Sequence, residues 1–422
     1  MRVQPAQSRQ PGPSEPAGEL CYLARQPILD LRGRVHGYEL LFRAGPETSF
    51  RGDGNAATRS MLDNMVLFGL QRLTGGASAF MNCTQETLTE NLVHLLPSGL
   101  AVLEILESVD PTPDLLAACH RLKALGFRLA LDDFVWKPEF APLVELADYI
   151  KVDFVKSGPE ERQSLLHRLR NVAVAYVAEK IETQEDYKQA RLEGFKLFQG
   201  YYFCRPVLLK NRKIPANRFS QIEIMRLLRS DPIDLHKLTQ QVKRDASLTY
   251  RLLRLVNSPM CAMRQEVSSI QAALLAVGED TFRRIAMLAI ASEFNEGQPA
   301  EILRMAFVRG RFCELAASKG EQDPTEQYLL GMLSLLPAMM RLPMEELTQS
   351  LPLRKEICDA LNRDVNSEGK FLRWLEYHEL ADWDACDAVA EANGLDQEHL
   401  LRCYADAMVW AEEALQAEET VA

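Results

Sequence analysis

The sequence predicts a two-part protein: an α/β half closed into a β/α barrel, followed by an all-α half. Three observations carry this reading. Between residues 20 and 207 short apolar runs alternate with longer amphipathic stretches, the pattern of repeated β-α units with parallel strands. Polar residues stand at the ends of those runs, where a barrel of this kind carries its working face. Beyond residue 215 the strand signal fades and apolar residues recur at helical spacing. With 422 residues, 47% hydrophobic and 25% charged, the chain has material for more than one ordinary globular core.

The elements follow in order. Residues 1–19 contain Pro5, Pro11, Pro13 and Pro16 and no apolar block, so they read as a disordered leader and not as a secretory signal. Runs at 22–29, 35–42, 78–82, 101–105, 128–131, 149–152, 174–178 and 195–198 are the strand candidates, with helices such as 112–125 and 163–171 between them. That number of units suits a barrel slightly smaller than the usual ~250 residues. Residues 208–215, with Lys210, Arg212 and Lys213, read as a hinge. Segments 221–228, 235–245, 248–256 and 282–294 begin an all-α domain that spans 216–415, and Asp-Pro at 231–232 and Ser-Pro at 258–259 punctuate it.

Composition removes several function classes. A net charge of −11 gives no overall basic footprint, so nucleic acid is not expected as a partner. The nine cysteines form no Cys-x-x-Cys pair, which points to reduced thiols and against a disulfide frame or structural zinc. No apolar run approaches a membrane span, and a cytoplasmic location is the expectation.

The strand ends bring chemistry-bearing residues to one rim. In chain order they are Glu39 and Arg43, Asn82, Glu104 and Glu107, Asp132 and Asp133, Lys151 and Asp153, Glu179 and Glu182, and Gln199. One strand-end Asp commonly caps the following helix, a reading that suits Asp153, and Asp133 taken alone, but not the whole set. Hard oxygen donors clustered in this way suit Mg²⁺ or Mn²⁺. Two such ions can clamp the attacking and leaving oxygens of a phosphodiester. A lysine there can orient water or offset developing charge, and Arg43 can take a phosphate bidentately. The residues alone therefore point to metal-dependent handling of a phosphate ester.

Over about residues 22–206 the same motifs, in the same order, resemble the EAL family of barrels that hydrolyse cyclic di-GMP. YELLFR stands where that family has E-A-L-x-R, LEILES where it has E-L-T-E-S, AEKIET where it has A-E-G-V-E-T, and QGYYFCRP matches its closing Q-G-Y motif. The resemblance implies Glu39, Asn82, Glu104, Asp132 and Asp133 as metal ligands, with Lys151 and Glu179 as catalytic residues. It implies Arg43 and Gln199 as nucleotide contacts, and Glu107 and Glu182 as loop supports. Leu106 replaces the family's Thr. After the Asp pair the chain reads DDFVWKPEF where the family has a Gly- and Ser-rich loop, and Val135, Trp136, Lys137 and Pro138 cannot copy a glycine-dependent backbone.

The second half, from about residue 214 to 351, resembles the HD-related output domain called HDOD. VKRDASLTYRLLRLVNSP reads like its signature, with Asp245, Leu248, Asn257 and Ser258 in place, and SSIQAALLAVG, ending at Gly278, resembles its next helix. The metal-dependent relatives of that domain need a His-Asp dyad. None of the seven histidines (His36, His94, His120, His167, His236, His378 and His399) precedes an Asp, and Ser334 stands where the dyad is expected. His236 and His378 read as surface or satisfied core residues, and Asn257 and Ser258 as a helix-end cap.

The expectation is a signalling protein whose barrel binds metal and cyclic di-GMP with weak or no hydrolysis. Its helical half, with no cofactor, would engage an unidentified protein partner. An active Mg²⁺- or Mn²⁺-dependent phosphodiesterase yielding linear di-GMP, and a purely structural scaffold, are the alternatives. The sequence leaves the oligomeric state open, a homodimer included.

Overall fold

The computed structural model describes residues 21–44, 70–89, 93, 96–200, 202, 216–228, 233–243, 245–258, 261, 263, 267–295, 298–349, 351 and 353–419. The expected leader and the hinge at 208–215 lie outside the described residues.

Eight strands close into a barrel: β1 (Cys21–Asp30), β2 (Val35–Ala44), β3 (Ser78–Cys83), β4 (Ala101–Ile105), β5 (Arg128–Leu131), β6 (Tyr149–Asp153), β7 (Ala175–Glu179) and β8 (Leu197–Gln199). Its helices are α1 (Leu70–Thr74), α2 (Gln85–Thr89), α3 (Pro113–Ala124), α4 (Ala141–Leu146), α5 (Pro159–Arg168) and α6 (Gln184–Glu193). From β2 to β8 neighbouring strands are parallel, as the alternating pattern requires. β1 departs from that pattern and runs antiparallel to both β2 and β8. The reason is local. Oδ1 of Asp30 accepts from the amides of Arg32 and Arg34, and Gly33 takes φ 73°, so a tight turn returns the chain at once. A parallel neighbour would need a long crossover that this turn does not supply.

Inside the barrel side chains stack in layers. Ile28, Phe80, Val102, Ala130, Tyr149, Val177 and Leu197 form one buried apolar cluster. Because strand side chains alternate with a period of two, the next inward position falls two residues further on. On the parallel strands those positions are Asn82, Glu104, Asp132, Lys151, Glu179 and Gln199. The apolar layer is thus the floor on which a polar layer stands. A second apolar cluster, including Leu103, Leu129, Ile150 and Phe198, fills the space between strands and outer helices.

The helical half comprises α7 (Ala216–Leu228), α8 (Leu235–Val242), α9 (Ala246–Val256), α10 (Ile270–Val277), α11 (Glu279–Phe294), α12 (Ala300–Ala317), α13 (Pro324–Leu333), α14 (Leu336–Met340), α15 (Met344–Thr348), α16 (Lys355–Leu361), α17 (Lys370–Glu379), α18 (Trp383–Asn393) and α19 (Gln397–Glu419). Asp245 caps α9 by accepting from the amide of Leu248. Asn257 ends the same helix, its side chain exchanging hydrogen bonds with the backbone of Val267, as a capping role requires. Among the described residues no helix is long and apolar enough to cross a membrane.

The helical half docks on the β1–β2 hairpin. Nε2 of His378 donates to the carbonyl of Leu23 at 2.8 Å, and the Tyr38 hydroxyl donates to Oε2 of Glu301 at 2.7 Å. Arg25 donates to the carbonyl of Leu73 and lies 3.8 Å from Glu412. Leu73 of α1 belongs to the same apolar cluster as the helical core, so hydrophobic packing crosses the junction.

Candidate functional site

The polar layer is organised around one lysine. Nζ of Lys151 lies 2.8 Å from Glu104 Oε1, 2.8 Å from Glu179 Oε1, 2.9 Å from Asp132 Oδ1 and 3.0 Å from Glu39 Oε2. Four strands bring the carboxylates and a fifth brings the ammonium. Gln199 donates to Glu39 Oε2 at 2.7 Å and to Oε1 of Gln26 at 3.2 Å, while Nδ2 of Asn82 is 3.5 Å from Glu39 Oε1. The backbone of β8 is held close by Gly200, whose φ is 148°. A Cβ there would fall into the main chain of Ile181, which exchanges hydrogen bonds with Gln199 and Tyr202.

Charge does not balance within this ring. An ammonium has three protons to give, and four carboxylates surround it. Burial works against the charge of Lys151, but Glu104, Glu179, Glu39 and Asp132 together outweigh burial and hold it protonated above its ordinary range. Burial also opposes ionisation of Glu39, yet Lys151 and the donors Gln199 and Asn82 prevail and its carboxyl is pulled down. Glu104 goes the other way. Burial, with Glu39 and Asp132 alongside, raises it well above the carboxylate range despite Lys151. Burial likewise lifts Glu179 to about 8, aided by Asp132 and Glu39 and opposed by Lys151. The ring therefore holds surplus negative charge that either a proton or a cation must offset.

The donor set fits a hard divalent cation. Oε2 of Glu104 and Oδ1 of Asn82 are buried without a hydrogen-bond donor. Asp132, Asp133 and Glu179 bring carboxylate oxygens within 4.8 Å of one another.

Other expected site residues lie beside this centre. Asp133, at φ 43°, receives the ammonium of Lys156, while Asp153 accepts from the amides of Val155 and Lys156 and pairs with Lys180 at 2.6 Å. Asp153 thus braces the turn after β6 and, contrary to expectation, does not cap the following helix, α5, because that helix begins only at Pro159, with Gly158 at its N-cap. Arg43 is directed toward the helical half, with Nη2 2.8 Å from Oδ2 of Asp387. Glu107 and Glu182 are exposed at the strand exits. The substituted loop forms a 3₁₀ turn over Pro138–Phe140. Phe134 packs edge-on to Phe140, and Arg168 lies 5.1 Å above the Trp136 ring.

Three residues in and beside the ring escaped the sequence reading. Gln26 belongs to the polar layer, but β1 runs backwards, so it precedes its apolar floor residue Ile28 instead of following it. Reading the hairpin in reverse would have found it. Lys156 lies in the turn beyond β6 and Lys180 directly follows β7, and their proximity in the fold brings them to Asp133 and Asp153.

In the helical half Ser334 accepts a hydrogen bond from Arg309, which is 1% exposed and also donates to Glu379. His378 is fully buried and His236 faces solvent beside Gln240. The core reading therefore fits His378, which is satisfied at Nε2 but not at Nδ1, and the surface reading fits His236.

A closed barrel with a carboxylate ring about a buried lysine, continued by a helical half seated on its first hairpin, defines a two-domain protein with one acidic, cation-suited face. Residues 72–206 match the EAL domain family and residues 214–351 the HDOD domain family. The uncharacterized protein YuxH of Bacillus subtilis (strain 168) is 33% identical over 407 residues, 94% of this chain and 99% of YuxH. The cyclic di-GMP phosphodiesterase CdgJ of Vibrio cholerae serotype O1 is 31% identical over 410 residues, 95% of this chain and 94% of CdgJ. The calcium/cyclic di-GMP complex of Klebsiella pneumoniae BlrP1 at pH 8.0 aligns with a TM-score of 0.38 and 23% identity, over 47% of this chain and 58% of that one. The chain belongs to the EAL–HDOD family of two-domain proteins.

Proposed function

We propose that this chain is a cyclic di-GMP signalling protein of the cytoplasm. Its barrel binds Mg²⁺ or Mn²⁺ together with the nucleotide and turns it over weakly or not at all, and its non-catalytic helical half engages a protein partner. The observation that carries this reading is the carboxylate ring around Lys151, with its surplus negative charge and with Oε2 of Glu104 and Oδ1 of Asn82 lacking a donor. Glu39, Asn82, Glu104 and Asp132, with Asp133 at the side, would hold the cation. A bound divalent ion there would neutralise phosphodiester oxygens and acidify a water.

The chain's own residues would do the rest. Lys151 would stabilise charge on the phosphate, and Glu179, poised near neutrality, could accept or return a proton. Gln199 fixes Glu39, and Arg43 would take a second phosphate oxygen. Weak turnover follows from the side of the site that differs. Asp133 is tied to Lys156, and the loop after it is a 3₁₀ turn anchored by aromatics in place of glycine-rich backbone. A ligand displaced by ~1 Å loses much of its catalytic worth.

The second reading is a working phosphodiesterase, favoured by whole-length similarity to CdgJ and by the complete carboxylate set. Calorimetry with cyclic di-GMP, with and without Mn²⁺, tests the first claim, and chromatography for linear di-GMP separates the two readings. Metal-dependent binding with little product supports the first. Absence of metal-dependent binding overturns both.

A further inference from the structure

The arginine that the barrel offers to a phosphate is held by a carboxylate from the other half of the molecule. Glu39 and Arg43 lie four positions apart on β2 and so share one face of the strand. At its far end the Arg43 side chain is 7% exposed, with Nη2 2.8 Å from Oδ2 of Asp387 on α18. Oδ1 of Asp387 accepts from Nε2 of Gln397 at 3.2 Å, and Oε1 of Gln397 accepts from the Tyr22 hydroxyl at 2.8 Å. Tyr22 faces Arg43 in the β1–β2 register, and the guanidinium lies 5.4 Å from its ring centre. Asp387 and Gln397 both lie beyond the HDOD match at 214–351, so the segment that reaches this arginine is an addition to that domain.

We propose that Asp387 is an affinity-determining residue of the barrel's anion site, because its carboxylate competes with a ligand phosphodiester for Arg43. The inference rests on the reading that the barrel binds cyclic di-GMP. A carboxylate and a phosphodiester ask for the same guanidinium geometry. Held at one largely buried arginine they also repel each other. Ligand binding therefore proceeds with loss of the Asp387 contact, which lowers apparent affinity. Linkage is reciprocal, so the ligand must weaken the hold of α18 on the barrel by the same factor. Gln397 keeps Asp387 oriented, and Tyr22 keeps Arg43 in place when the carboxylate leaves.

The test uses the full chain with Mn²⁺. Asp387→Asn keeps shape and removes charge, and should tighten cyclic di-GMP binding by about five- to twenty-fold. Asp387→Ser is a second variant with the same expected direction. In an Arg43→Ala background the Asp387→Asn substitution should change the dissociation constant less than about two-fold, which a merely structural role of Asp387 would not dictate. In wild type, cyclic di-GMP should raise hydrogen exchange across Trp383–Asn393, and Arg43→Ala should raise it without nucleotide. If wild type binds but Asp387→Asn binds equally or more weakly, the inference is overturned and the binding reading stands. If neither binds, the binding reading itself fails. A nucleotide-free exchange change would then mark the pair as a clasp only, and the inference falls too.

Discussion

Nζ of Lys151 lies 2.8 Å from Oε1 of Glu104, and neither side chain reaches solvent. Removing one member of such a group leaves the others uncompensated, which is far costlier than the net worth of the pair. Lys151→Met should therefore lose about 3–5 kcal/mol of stability in chelator. Mn²⁺ should restore more to this variant than it adds to wild type, because the cation takes over the lysine's neutralising role. Denaturant unfolding with EDTA or Mn²⁺ measures both, and an equal metal response in the two proteins would refute the surplus charge.

Glu104 gives the complementary expectation. Its Oε2 has no donor, and the one ammonium beside Oε1 is shared among four carboxylates, so a further cation is the partner that this carboxylate lacks. Saturating Mn²⁺ should stabilise wild type, by about 2.7 kcal/mol at a hundredfold excess over Kd. Glu104→Ala should show no Mn²⁺-dependent rise in melting temperature. Identical shifts in both proteins would place the metal elsewhere.

Turnover of cyclic di-GMP with Mn²⁺ should fall below about 1 s⁻¹. Whatever remains should vanish in Glu179→Gln, which keeps the shape but cannot hold the proton that burial keeps near neutrality on Glu179. Product chromatography reads both. Faster turnover would show that the aromatic-anchored loop supports the metals as well as a glycine-rich one.

The helical half should carry no metal of its own, since Arg309 already fills the space beside Ser334 with a permanent cation. Full-length protein with Glu104→Ala and Asp132→Ala together should retain no stoichiometric manganese, iron or zinc by elemental analysis. Metal persisting in that variant would reveal ligands in the helical half.

Much of the barrel and its ring is legible in the sequence, because both follow from a local period. An inward residue such as Val102 or Tyr149 fixes where Glu104 or Lys151 must point, and parallel strands present those ends together. Gln26 was not legible while β1 was treated as one more parallel strand. Asp387, Gln397 and the role of His378 were not legible at all. Each acts on a residue more than three hundred positions away, and nothing in a helix's own periodicity says which surface it will meet.

His378 makes the docking of the two halves sensitive to pH. It is fully buried, stacked on Trp374 at 4.8 Å and edge-on to Tyr404 and Trp383. Nε2 donates to the carbonyl of Leu23, which leaves Nδ1 as a buried acceptor with no donor. Burial pushes its pKa down to about 4, with the Leu23 carbonyl opposing weakly, against an ordinary 6.5. Above pH 6.5 the ring is neutral whether the protein is folded or not, so nothing is lost. Below it the unfolded chain takes up a proton that the folded one refuses, and stability falls until about pH 4. The loss amounts to about 2 kcal/mol at pH 5. His378→Phe keeps the stacking and removes the titration, so it should be less stable than wild type at pH 7 for want of the Leu23 hydrogen bond. That deficit should shrink by about 2 kcal/mol on going to pH 5. Urea unfolding of both proteins at the two pH values measures the difference, and parallel pH dependence would show that His378 titrates normally and does not clasp the helices to β1.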